Sequence, residues 1–206
     1  MKSDDIAFGI AGVCFGLIAG WVIGSQQAAP RPVASAPQTA QADGPAAGGG
    51  STRAAVLDET QVKALTSVAE RDPKNPKPRI DLANLYFDAD RYDDAIKWYE
   101  QALALAPNDV NVSTDLGVAY YYTNQPDKAL AQFDKSLALD PKHVKTLLNV
   151  GIVRAFGKQD LKGATESWQK VIDLAPASPE AQAAKRALDS LQSAHPGMTG
   201  GAKPGS

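Results

Sequence analysis

Residues 82–107 read LANLYFDADRYDDAIKWYEQALALAP, residues 116–141 LGVAYYYTNQPDKALAQFDKSLALDP, and residues 150–176 VGIVRAFGKQDLKGATESWQKVIDLAP. The three segments share one register. Pro73, Pro107 and Pro141 lie 34 residues apart, and Pro176 follows 35 after Pro141. A fixed period of this length marks a repeat architecture, in which each unit buries its apolar face against the next. Small residues recur early in each segment, at Ala83, Gly117 and Gly151, and in its middle, at Ala95, Ala129 and Ala164. Tyr99, Phe133 and Trp168 recur four residues after the second set.

This pattern resembles the tetratricopeptide repeat, a helix-turn-helix unit. The resemblance rests on Leu82-Ala83, Leu116-Gly117 and Val150-Gly151, on the alanines, on the aromatic residues and on the closing prolines. Small residues let the two helices of a unit approach closely, and the aromatic rings are expected to fill the space toward the next unit. Proline ends the second helix and sets the chain angle beyond it. The tryptophan usual early in the first helix is replaced by Arg79, Ser113 and Leu147, and the usual tyrosine appears as Tyr86 and Tyr120 but as Arg154 in the third unit. That unit has one extra residue, expected in the turn GKQDLKG, where a loop can absorb it.

The fold expected is all-α: a right-handed solenoid of about eight helices within residues 56–193. Residues 57–71, with Asp58 and Gln61 spaced as a capping box and Val62, Leu65, Val68 and Ala69 on one face, supply a half-unit before the first repeat. The repeats are placed at 76–109, 110–143 and 144–178. A final solvating helix at 179–192 starts at Ser178-Pro179 and carries Ala184, Ala187, Leu188 and Leu191 as its buried stripe. Residues 194–206, HPGMTGGAKPGS after Ala194, read as a disordered tail.

Ahead of the repeats the composition changes twice. Ile6 to Ile23 carries no charge, and as a helix rising ~1.5 Å per residue it would be roughly 27 Å long, close to the thickness of a bilayer core. Residues 1–24 therefore read as a short stub and an uncleaved membrane anchor. A cleaved signal would have a shorter apolar run and a cleaner exit than SQQAAP. Within the run, Gly12, Gly16, Gly20 and Gly24 recur every fourth residue, a spacing that lets two spanning helices approach and suggests a homodimer contact. Residues 25–55, almost entirely Ala, Pro, Gln, Gly, Ser and Thr, have nothing to bury and read as a disordered linker.

The charge flanks orient the span. Lys2 and the terminal amine precede it, while the first cation after it is Arg31, which favours a cytoplasmic N-terminus and repeats on the periplasmic face of a bacterial inner membrane. The opposite orientation would leave the repeats in the cytoplasm.

Residues 56–193 hold 17 Lys and Arg against 20 Asp and Glu, so no basic surface for nucleic acid is implied. The sole cysteine, Cys14, lies in the apolar run, and the two histidines, His143 and His195, are far apart in sequence. No cofactor, no metal site and no enzymatic activity are expected from these residues.

What the resemblance implies instead is protein binding in a concave groove lined by the first helices. Carried over by register, the groove positions are Lys77, Ile80, Asp81, Asn84, Phe87 and Asp88 in the first unit; Asn111, Thr114, Asp115, Val118, Tyr121 and Tyr122 in the second; and Lys145, Leu148, Asn149, Ile152, Ala155 and Phe156 in the third. An aromatic and aliphatic strip flanked by amides and acids suits a helical or extended peptide of a partner. Members of the family that clamp the C-terminal carboxylates of heat-shock chaperones use Lys and Asn in the first unit, Asn in the second, Lys and Arg in the third. Asn84 and Lys145 match, but Ile80, Asp115 and Asn149 stand where Lys, Asn and Arg should be, and Asp115 would repel a carboxylate.

The function expected is thus a membrane-anchored interaction adaptor. The alternatives are a structural organiser that associates with itself through the glycine-spaced span, or a subunit similar in layout to the tetratricopeptide component of cytochrome c haem-ligation machinery.

Overall fold

The computed structural model describes residues 56–194, which contain eight α-helices and no strand. The apolar run with its glycines, the linker at 25–55 and the tail beyond Ala194, which itself ends the last helix, lie outside the described residues, within which no helix is long and apolar enough to cross a membrane. The helices are α1 Glu59–Arg71, α2 Lys77–Asp88, α3 Tyr92–Leu105, α4 Val110–Tyr122, α5 Pro126–Leu139, α6 Val144–Ile152, α7 Leu161–Leu174 and α8 Pro179–Ala194, with a π-helical turn Val153–Gly157 between α6 and α7.

Local chemistry starts and stops each helix. Asp58 Oδ1 accepts from the backbone N–H groups of Thr60 and Gln61, Asp109 from Val112, Asp160 from Gly163, and Ser178 Oγ from Ala181. These satisfy amides that have no partner in the first turn of a helix. At the other end, Asp72, Ala106, Asp140 and Ala175 each precede a proline and lie at φ of −124, −132, −135 and −144° with ψ from 63 to 97°. The proline ring forbids the helical conformation to the residue before it, so the same stop recurs four times.

Every helix packs on the helices next to it in the chain, and α4 also meets α6, and α6 meets α8. The first and second helices of each unit interlock through the positions that carry the repeat. Phe133 of α5 covers Gly117 of α4 so closely that a Cβ there would overlap the ring, and Trp168 of α7 covers Gly151 of α6 in the same way. Trp168 Nε1 donates to the Leu148 carbonyl at 3.1 Å, and Tyr99 Oη donates to Asn84 Oδ1 at 2.7 Å. The rings therefore fill space chiefly within their own unit rather than toward the next. Phe133 does both, since it also packs with Val150 and Val153 of the following unit.

The extra residue of the third unit is not in the turn. Asp90, Asn124 and Gln159 hold the same left-handed conformation, at φ of 59, 59 and 56°, and each stands five residues before Ala95, Ala129 or Ala164. The three turns are thus equal in length. The insertion sits in the helix before the turn, as the π-helical Val153–Gly157 segment, where Lys158 N–H reaches back to the Val153 carbonyl. Widening one helical turn preserves the hydrogen-bond ladder, whereas lengthening the turn would move α7 off its seat on Gly151.

Candidate functional site

The first helices α2, α4 and α6 carry the residues placed on the groove by register, and burial divides them. Thr114 and Leu148 are fully buried; they pack inside the array and do not line its surface. Thr114 Oγ1 donates to the Val110 carbonyl and lies 2.6 Å from Thr146 Oγ1 on the next unit. Phe87, Lys145, Asn149, Ile152 and Ala155 are nearly buried, and Asn149 donates to the Lys145 carbonyl. Asn84, Asp88, Asp115, Val118, Tyr121 and Tyr122 are half-buried, and Phe156 is 36% exposed.

Two features organise this surface. The first is an ion pair between units, Lys145 Nζ to Asp115 Oδ1 at 2.7 Å, with the lysine side chain 11% and the aspartate 29% exposed. Burial pushes the Asp115 carboxyl above its ordinary range, and the ammonium of Lys145 opposes that shift. The lysine that matches the chaperone-type clamp is therefore already engaged by an acid.

The second feature is an aromatic cluster. Tyr92 of α3 stacks on Tyr122 of α4 with ring centroids 4.6 Å apart and planes 12° apart. Phe87 meets both rings edge-on at 5.1 and 5.6 Å, and Tyr121 lies 6.2 Å from Tyr122. Edge-to-face and offset contacts of this kind are favourable beyond their buried area. Burial raises the Tyr121 and Tyr122 hydroxyls to about 12. Burial also raises that of Tyr92, helped by its hydrogen bond to Asp90. These phenols stay neutral at physiological pH.

Tyr92 was missed from sequence because it opens a second helix, whereas the register assigns the groove to first helices. The stack joins the two. A cleft of about 580 Å³ beside it is lined by residues of two turns, among them Asp90, Arg91, Asp93, Asn124 and Gln125.

Helix pairs repeated on a 34-residue register, closed by a helix with a polar outer face, define an interaction module of the repeat class. Two models described as tetratricopeptide repeat match the sequence at residues 78–142 and 114–179, and the chain is a tetratricopeptide-repeat protein. No curated protein matches it. Among solved structures, a crystal structure of MamA superimposes with a TM-score of 0.55 at 21% identity, over 63% of this chain and 76% of that one. Another MamA crystal structure gives 0.52 at 20% identity, over 56% and 62%. A MamA RS-1 double mutant gives 0.51 at 26%, over 63% and 66%. At these identities the likeness is one of fold.

Proposed function

We propose that this protein is a membrane-anchored adaptor that holds a helical or extended segment of a partner protein against the face formed by α2, α4 and α6, with its repeats in the bacterial periplasm. The observation that carries the reading is the run of aromatic side chains along that face, from Phe87 and Tyr122 through Tyr121 to Phe156, the last 36% exposed. Half-buried aromatic anchors in a groove supply most of the affinity of such interfaces. The Asp115–Lys145 pair argues against a chaperone C-terminal carboxylate as the ligand, because Lys145 already has its anion.

Capture of partners by the full-length chain, followed by mass spectrometry, tests the reading. One dominant foreign protein is expected, lost with Tyr121→Ala plus Phe156→Glu while helicity and melting are kept. Undiminished capture by that folded variant would move the site elsewhere. For the anchor and orientation, the uncharged run from Ile6 to Ile23 and the position of Lys2 before it support the reading. A reporter fused after Ser206 is expected to be active only if it requires export; activity confined to a cytosolic reporter would invert the topology.

A further inference from the structure

The three turns within the units can be aligned residue for residue because Asp90, Asn124 and Gln159 share one left-handed φ. Aligned on them, Asp93 corresponds to Asp127, Thr123 to Lys158, Tyr92 to Pro126 and Tyr122 to Gly157. Between the second and third units, Asp127 in the first turn of α5 is paired with Lys158 of the following turn, Nζ to Oδ1 at 2.6 Å. Between the first and second units the acid is kept as Asp93, but the lysine's place is held by the uncharged Thr123. Among the described residues no cation lies within ion-pairing distance of Asp90 or Asp93. Arg91 binds Asp94 at 2.5 Å and lies over the Tyr86 ring, and Lys97 also binds Asp94.

The walls differ as well. At the second junction Pro126 and Gly157 are in such close contact that a Cβ on Gly157 would lie 2.9 Å from Pro126. At the first, the stacked Tyr92 and Tyr122 stand in their place, beside the cleft of about 580 Å³. Tyr122 ties this cleft to the aromatic face through Tyr121.

We propose that the first junction takes from the partner what the second supplies for itself: a lysine or arginine side chain whose cation sits against Asp93 and Asp90 and whose methylene stem lies along Tyr92 and Tyr122. This rests on the partner-binding reading above and names the partner's chemistry, a segment with an apolar residue for Tyr121 and Phe156 and a basic residue beside it. Long basic side chains cover aromatic surface with their stems while keeping the charge among polar groups.

The test uses the full-length chain in detergent and two labelled synthetic peptides, one of alternating Leu and Lys, the other with every Lys replaced by Gln, read by fluorescence anisotropy. The Lys peptide is expected to bind about fivefold tighter at low salt, in line with a partly exposed ion pair, and the preference should shrink as salt is added. Thr123→Lys, which gives the first junction its own cation, and Asp90→Asn with Asp93→Asn should each abolish the preference without weakening the Gln peptide. Asp134→Asn with Glu70→Gln, on second helices and the capping helix, should leave it intact. A preference that survives Thr123→Lys and the double Asn variant overturns the proposal, as does failure of both peptides to bind. If Tyr121→Ala with Phe156→Glu still abolishes binding of both peptides, or capture of the cellular partner, the partner-binding face stands and only the basic subsite falls.

Discussion

A methyl group added at Gly117 would overlap the Phe133 ring, and one added at Gly151 the Trp168 indole. Inside a helix, Gly→Ala ordinarily stabilises by about 1 kcal/mol. Here the ring has nowhere to go, because Phe133 is fully buried among Ala129, Val150 and Val153. Gly117→Ala is therefore expected to destabilise the domain by about 1–3 kcal/mol in urea unfolding, the cost of overpacking a dense core. Combining it with Phe133→Leu should cost less than the sum of the two single changes, since the smaller side chain makes room for the methyl. A stabilising Gly117→Ala would show that the two helices can separate there at little cost. The small residues and the aromatic rings were legible as recurring positions from the repeat register, but that Phe133 and Trp168 lie on Gly117 and Gly151 of their own units, and not chiefly toward the next, came from the structure. Thr114 was not legible: a threonine on a first helix reads as surface, and only its hydrogen bond to Thr146 of the next unit explains why it is buried.

At the scale of elements, the junction between α5 and α6 carries a titratable group. His143 Nδ1 lies 2.7 Å from Thr146 Oγ1. Thr114 gives its hydrogen to the Val110 carbonyl and so accepts from Thr146, which leaves the proton of the His143 contact on Nδ1. Burial lowers the pKa of His143 below its ordinary value, against the opposing pull of Asp140, Asp115 and Glu180, while Lys145 adds to the lowering. A lowered folded pKa means that the unfolded chain takes up the proton first. Stability from this group is then complete above about 6.5, the unfolded value, and falls as pH drops below it. Urea midpoints at neutral and mildly acid pH should fall further for the wild type than for His143→Asn, whose amide can still donate to Thr146. Equal slopes would show that the imidazole does not contribute. The π-helical turn belongs to this scale too: the 35-residue spacing announced an insertion, but a spacing cannot say whether a loop or a helix takes it up. The shared φ of Asp90, Asn124 and Gln159 places it in the helix.

For the whole molecule, the ends matter as much as the repeats. An array of this kind is a sum of neighbour interfaces, and an uncapped end exposes a helix face shaped for another unit. On α8, Ala181, Ala183, Ala184 and Ala187 are buried, while Gln182, Lys185 and Arg186 face outward. A chain stopped after Ala177 is expected to expose the α6 and α7 surfaces that α8 covers and to elute as dimers or larger species in size-exclusion chromatography. A monomeric, fully helical truncation would show that α8 is dispensable to the array.

Periodicity by itself determined the repeat class, the helix pairs, the caps at Asp58 and Ser178 and the recurrence of small and aromatic positions, because each depends on residues close in sequence and repeated in one register. It also nominated the face that carries Tyr121, Tyr122 and Phe156. Only the tertiary structure decided which nominees are spent on the interior, such as Thr114 and Leu148, and which face outward. Only it brought Tyr92 onto Tyr122 and set Lys158 against Asp127 while leaving Asp93 without a cation. These are contacts between units, from side chains 30 or so residues apart, and their geometry depends on how one helix pair is seated on the next, which no local propensity encodes.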